Sequence, residues 1–228
     1  MPDYKTYFNW SSGKDSALAL HYLLQNSDYQ VDYLLTTVSA EHQRVSMHGL
    51  RSEILHRQLD AIGLPYGTVE LAEDASHTTY ERVMAEKMVQ LKADGFEYAA
   101  FGDIFLEDLK KYREAQLAVC GLQGVFPIWK RDTTELIHEF IDLGFKSIVV
   151  CVNGALLDAS FAGRIIDKDF IKDLPKDVDP CGENGEFHTF CFDTPYFKTT
   201  VDFQIGETVS KNYQNGALTY EYWFCDLI

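Results

Sequence analysis

The sequence predicts an α/β fold: a parallel, doubly wound sheet followed by a smaller α+β unit. Three observations predict it. Short apolar runs alternate with helix-length segments from Tyr4 to Trp129. The first of these runs breaks into a Gly/Ser turn that opens directly into a helix. Beyond Lys130 the alternation gives way to an irregular stretch and then to aromatic and polar residues in alternation. The natural division is therefore residues 1–130 and residues 131–228.

Each element follows from local composition. Tyr4 to Trp10 is a short apolar strand, and Ala17 to Leu24 an Ala/Leu helix. Val31 to Val38 is β-branched and apolar, hence a strand. The helix after it, Leu50 to Ile62, is stopped by Gly63 and Pro65. Tyr66 to Leu71 is the third strand, and Thr78 to Asp94 a long helix ended by Gly95. Tyr98 to Phe101 is short and closes at Gly102-Asp103. A helix, Glu107 to Val119, leads to a fifth strand at Val125 to Trp129. Helices of this length between strands imply a parallel sheet covered on both faces, with ligands beyond the carboxyl ends of the strands. The loops at Ser11, Thr36–Ser46 and Gly102–Asp103 then line one crevice. In the second half, a helix (Thr133 to Leu143) and a strand (Ser147 to Val152) precede an irregular stretch with Gly154, Gly163, Pro175 and Pro180. Asn215-Gly216, between Thr208–Tyr213 and Leu218–Phe224, is a type I′ hairpin signal. The hairpin aromatics (Tyr213, Tyr220, Tyr222, Trp223, Phe224) are expected in the core, with a homodimer contact as the other use.

Composition narrows the function. The 228 residues are 46% hydrophobic, enough for a proper core. A net charge of −15 argues against a broad nucleic-acid surface, although a local basic pocket is compatible with it. No apolar run reaches the roughly 20 residues that span a bilayer, and the start does not resemble a signal peptide. Five scattered cysteines without a C-x-x-C pair argue for reduced thiols and a cytoplasmic location.

The turn Ser11-Ser12-Gly13-Lys14-Asp15-Ser16 carries the chemistry. A strand, a Gly/Ser turn and a helix start aim several backbone N–H groups at one point, where the helix dipole favours negative charge. Three hydroxyls and the Lys14 ammonium add donors. A capped helix accounts for Ser11 or Ser12 and for Asp15. It does not require Gly13, Lys14 and three hydroxyls together, so the segment is read as a phosphate site. It is not a Walker loop.

The segment resembles the PP-loop, Ser-Gly-Gly-x-Asp-Ser, of the N-type ATP pyrophosphatases, with Ser12 standing where that pattern has Gly. A second motif lies at Asp179-Pro-Cys-Gly-Glu-Asn-Gly-Glu-Phe-His-Thr189. On spacing alone it is a glycine-punctuated turn, or a pair of carboxylates for a cation. Behind a PP-loop, it resembles the Gly-Glu-x-Gly-Glu-(Tyr/Phe)-x-Thr motif of the diphthine–ammonia ligase family. Met47-His48 with Arg51 and Glu53, Gly102-Asp103-Ile104, Tyr112-Arg113 with Gln116, and Pro127-Ile128-Trp129 agree with it. The departures are Phe187, for a usual Tyr, and His188, for a common Glu; they suit a bacterial-type member with a different substrate.

The resemblance implies an adenine nucleotide alpha hydrolase-like (Rossmann-like) first domain that binds nucleotide and a second that binds acceptor. It implies ATP with Mg²⁺, split to AMP and pyrophosphate, and ammonia joined to an adenylated carboxylate whose bearer is unknown. Ser11, Ser12, Gly13, Lys14, Asp15 and Ser16 would hold phosphate, with Thr36, Thr37, His48, Gly102 and Arg113 completing the nucleotide site. Lys14, Asp15, Asp103, Glu183 and Glu186 are the catalytic candidates, Asp15 and Asp103 on the metal side. Glu183, Asn184, Glu186 and His188 are the candidates for ammonia or acceptor. Each has a plainer alternative: Asp15 as a dipole partner, Arg113 on a solvated helix face, His48 at a helix start. Other PP-loop chemistry, such as tRNA thiolation, and a non-catalytic nucleotide sensor are the competing functions; no nucleic-acid or membrane partner is expected.

Overall fold

The computed structural model describes residues 4–45, 48–72, 77–215 and 218–228. The first half runs β1 (Tyr4–Asn9), α1 (Lys14–Gln25), β2 (Tyr29–Ser39), β3 (Arg44–Val45), α2 (Ser52–Ile62), β4 (Tyr66–Leu71), α3 (His77–Ala93), β5 (Tyr98–Ala100), α4 (Glu107–Val119) and β6 (Gln123–Val125). The second half adds α5 (Thr133–Asp142), β7 (Lys146–Asn153), α6 (Lys168–Asp173), β8 (Phe187–Asp193), β9 (Ile205–Asn215) and β10 (Leu218–Leu227).

Strands β4, β2, β1, β5 and β6 lie in that order, all parallel, and β3 pairs antiparallel with the far end of β2. Period-two alternation explains the two covered faces. Phe8, Leu34 and Ala100 point into one core, while their neighbours Tyr7, Leu35 and Ala99 point into the other. The first core takes α1 and α2 and continues into the second half through Ile148, Val149 and Phe190. The second is closed by Met88 and Leu91 of α3 and Leu117 of α4. The α/β class and the doubly wound sheet are as the sequence predicts.

The chain goes from β1 to β2 on one side and returns to β5 on the other. The carboxyl ends of β1 and β5 therefore flank the switch point where such sheets bind ligands. A second, antiparallel sheet, β8–β7–β10–β9, is tied to the start of α1 through Thr189 of β8, which accepts from Lys14 N–H.

Local expectations change in three respects. The fifth strand is Gln123–Val125, not Val125 to Trp129, because Pro127 has no N–H for a ladder. The residues after it turn instead, with Trp129 N–H donating to the Phe126 carbonyl at 3.2 Å. β3, α6 and β8 were not foreseen: β3 has two residues, and α6 is a six-residue helix. The hairpin aromatics split between faces. Trp223 packs on the core, but Tyr213 and Tyr220 are 49% and 37% exposed. Gly216 of the expected turn, like Ser46 and Met47, lies outside the described residues.

Candidate active site

Trp10 to Gly13 make the whole connection between β1 and α1. Gly13 is the N-cap residue, so neither Ser11 nor Ser12 is the cap that the capped-helix alternative needs. Ser11 Oγ lies 2.7 Å from Ser16 Oγ and accepts from Gly13 N–H at 3.3 Å. Lys14 N–H donates to Thr189 Oγ1 at 3.0 Å, tying the turn to β8. A Cβ on Gly13 would meet His48 Cε1 at 2.9 Å, so the turn has room only for glycine there. Ser12 is buried with φ of 72°, and its hydroxyl has no hydrogen-bond partner. The PP-loop pattern has Gly at this position, which the left-handed backbone favours.

The loop is held from outside by Gln58 of α2, which sequence reasoning missed. Its amide nitrogen donates to the Ser12 carbonyl (3.0 Å) and the Cys191 carbonyl (2.5 Å), and its oxygen accepts from Trp10 Nε1 (2.8 Å). The signal was there: a glutamine three and four residues beyond Leu55 and Ile54 falls on the apolar stripe of the helix.

A cavity of about 690 Å³ opens at the switch point. Its wall brings together Ser11, Lys14, Asp15, Ser16, Thr36, Thr37, His48, Gly102, Asp103, Arg113, Glu183, Asn184 and His188. Ser12 and Gly13 lie behind it, within the turn. Glu186 does not reach it. That carboxylate is buried and accepts from Asp179 N–H (3.0 Å), Asn184 N–H (2.9 Å) and Asn184 Nδ2 (3.1 Å), stapling its own loop. Thr36 likewise spends its hydroxyl on the Trp10 carbonyl at 2.8 Å. Tyr80 and Glu81 of α3 and Gln116 of α4 also line the cavity.

One buried cation faces several carboxylates. Lys14 is 3% exposed, and its ammonium donates to both oxygens of Asp15 (2.7 and 2.8 Å) and to the Cys181 carbonyl. Burial opposes its charge, but Asp15, Cys181 and Glu183 outweigh that and raise its pKa. Burial raises Asp15 despite Lys14, and Asp103 despite Arg113. Arg113 Nε sits 2.8 Å from Asp103 Oδ2 as an ion pair without aligned hydrogen-bond geometry, while its Nη2 donates to Oδ1 at 3.2 Å. The guanidinium also stacks 4.4 Å from the centre of the Phe101 ring, so Arg113 is not on a solvated face. Glu183 accepts from Ile104 N–H at 2.7 Å, yet burial and then Asp15 push it up to about 7. Burial lowers His48 to about 4 and His188 to about 3, and the two rings lie 5.1 Å apart.

The cavity is thus built for an anion at the start of α1 and is short of positive charge around its carboxylates. Among the described residues no three His, Cys, Asp or Glu side chains form a group that holds a metal. Asp15 and Asp103 are each committed to a cation, so a resident metal does not fit; a metal ion arriving on a phosphate does.

Residues 4–125 match the family described as the diphthamide synthase N-terminal domain, and residues 132–221 match its C-terminal domain. A diphthine–ammonia ligase of Danio rerio is 26% identical over 77% of this chain and 82% of its own length. One from Bos taurus is 31% identical over 40% of this chain, a match that spans only 36% of the bovine protein. A solved tRNA thiolase of Methanococcus maripaludis, with its 4Fe-4S cluster, is 15% identical over 63% of this chain and 59% of its own, with a TM-score of 0.37. Among the described residues no helix is long and apolar enough to cross a membrane.

Proposed function

Because this chain belongs to the diphthamide synthase family of diphthine–ammonia ligases, we propose that it adenylates a carboxylate with Mg-ATP and passes ammonia to it. The observation that carries the reading is the junction of two distant motifs. Lys14 of the PP-loop turn donates to the carbonyl of Cys181 and to Asp15, beside Glu183. Residues 1–130 supply the nucleotide side of this cavity and residues 131–228 the acceptor side.

A carboxylate oxygen attacks the α-phosphorus, the bond to the β-phosphate oxygen breaks, and pyrophosphate leaves. Ammonia then attacks the acyl carbon, the bond to AMP breaks, and one proton is released with the amide. The first turn of α1, with Lys14, Ser11 and Ser16, holds the departing phosphates and stabilises charge where it develops. Mg²⁺ brought by ATP would neutralise phosphate charge, and Asp15 and Asp103 are the carboxylates that would hold it once Lys14 and Arg113 turn to the phosphates. Thr36 and Thr37 lie where the adenine would rest, with Arg113 on the phosphates and His48 against the turn. Glu183, near neutral in its titration, takes the proton from ammonium, with Asn184 and His188 beside it.

Thiolation is disfavoured by the cysteine nearest the site. Cys181 is buried, donates to the Thr133 carbonyl at 3.3 Å, and burial raises its thiol far from a reactive thiolate. The test is product analysis with ATP, Mg²⁺, ammonium and candidate acids. AMP and pyrophosphate, lost in Lys14→Ala by roughly a hundredfold or more, support the reading. ADP and phosphate, or AMP formation that Lys14→Ala leaves intact, would overturn it.

A further inference from the structure

A second cavity, of about 800 Å³, adjoins the first and shares Val45, His48, Tyr80, His188 and Tyr222 with it. Its long wall is one face of the β9–β10 hairpin. The alternation of the two strands puts Val209, Lys211 and Tyr213 on that face opposite Phe224, Tyr222 and Tyr220, their cross-strand partners. Tyr213 packs edge-on against Tyr222 and Phe224, at 5.9 and 6.4 Å between ring centres. Lys211 lies 5.7 Å from the Phe224 ring centre. A hairpin face this aromatic would be expected in the core, yet Val209, Tyr213 and Tyr220 remain well exposed to the cavity and solvent.

We propose that this chamber is the acceptor site, and that it takes a small carboxylic acid with an aromatic or similarly flat apolar body. The inference rests on the ligase reading for its reaction and on the chamber alone for its ligand. Continuity names the occupant. His48 and His188 line both cavities, so a molecule lying on the hairpin face presents one end past them to the nucleotide cavity, and His48 lies against the PP-loop turn at Gly13. That end is the carboxylate. The volume falls within the range of small-molecule pockets, and rings of tyrosine and phenylalanine recognise a body by stacking. His188, in place of a common family Glu, leaves the passage without a fixed negative charge that would repel a carboxylate.

The test measures binding of benzoate, 3-phenylpropanoate, indole-3-acetate and acetate by calorimetry, with and without ATP. The variants are Tyr213→Ala/Tyr220→Ala, which trims the wall, and Val209→Trp, which fills the chamber. All three positions are exposed enough to spare the fold, and ATP affinity serves as the control. Expected are aryl acids binding at least about tenfold tighter than acetate, and a loss of about tenfold in both variants with ATP affinity unchanged. Equal binding of acetate and the aryl acids, or variants without effect on them, would overturn the proposal. So would a dimer that the variants dissociate while aryl acids bind unchanged, or AMP release elicited by a protein acceptor and by none of the acids. Aryl acids that bind through the hairpin while ATP yields no AMP would sink the ligase reading and leave the chamber standing.

Discussion

Gly102 and Ser16 meet backbone to backbone: a Cβ on Gly102 would lie 2.8 Å from the Ser16 nitrogen and 2.9 Å from the Asp15 carbonyl carbon. The end of β5 is therefore pressed against the first turn of α1, and Asp103, the next residue, is delivered to the cavity. Gly102→Ala forces one of the two apart. Overpacking of this kind costs about 1–3 kcal/mol. Because the displaced atoms include the amides at the helix start, ATP affinity should fall by roughly tenfold or more. Calorimetric titration with ATP checks this; a variant that binds ATP as the parent does would mean the contact does not shape the site.

Gln58 gives a second prediction. All its polar atoms are spent on Trp10, Ser12 and Cys191 in a site with no exposure. Gln58→Leu keeps the volume but leaves the buried Trp10 indole N–H without its partner, at about 1–3 kcal/mol, and takes one of two donors from the Ser12 carbonyl, which keeps Cys191 N–H. Urea unfolding should show that loss, and the Km for ATP should rise as the turn loosens. Unchanged stability would show that these groups find other partners.

How much of this was legible in the sequence depends on the reach of each contact. The turn at Ser11–Ser16 was legible because strand, small residues and helix follow one another directly. Glu183 and His188 were legible only through motif resemblance; nothing local tells that Glu183 meets Ile104 N–H, 79 positions away. Glu186 looked equivalent to Glu183, but a loop closed by Gly182 and Gly185, both with positive φ, turns it inward. The hairpin aromatics were misjudged for a different reason. Alternation assigns faces, but which face meets a core and which a cavity is decided by what packs there, and here that is Trp223 rather than Tyr222.

Glu183 sets an upper limit on stability with pH. Burial, then Asp15, raise its pKa from 4.5 to about 7. For a group raised in the folded state, the contribution to stability is fully present below the unfolded value and is lost as pH rises through the folded one. The ligand-free protein should therefore lose stability between about pH 5 and 8, and Glu183→Gln should flatten that slope. The rate of amide formation should rise through the same window in the parent. Parallel melting curves for parent and Glu183→Gln would remove Glu183 from this role.

His48 and His188 act at the other end. Both are lowered by burial, from 6.5 to about 4 and about 3. Depressed values mean stability that is present above 6.5 and lost as pH falls toward them, because only the unfolded chain takes up the protons. Melting temperature should drop as pH falls from 6.5 to 4, and His188→Gln should lessen the drop. A variant as acid-sensitive as the parent would place the effect elsewhere.

Ser12 is the departure from the PP-loop pattern, and the structure makes its cost testable. Its φ of 72° is left-handed, a region that costs an L-residue roughly 1–2 kcal/mol and glycine almost nothing. Its hydroxyl has no partner to lose. Against this, glycine gains freedom in the unfolded chain, worth about 0.5–1 kcal/mol. Relief of the strained backbone outweighs that freedom, so Ser12→Gly should leave stability unchanged or raise it by up to about 1 kcal/mol, a few degrees in melting temperature at this size. ATP should bind at least as tightly, since Cys191 N–H and Gln58 still hold the Ser12 carbonyl through the backbone. If Ser12→Gly instead weakens ATP binding while the fold is unharmed, the serine holds the turn in its binding shape, and the departure from the pattern is a gain of rigidity rather than a tolerated strain.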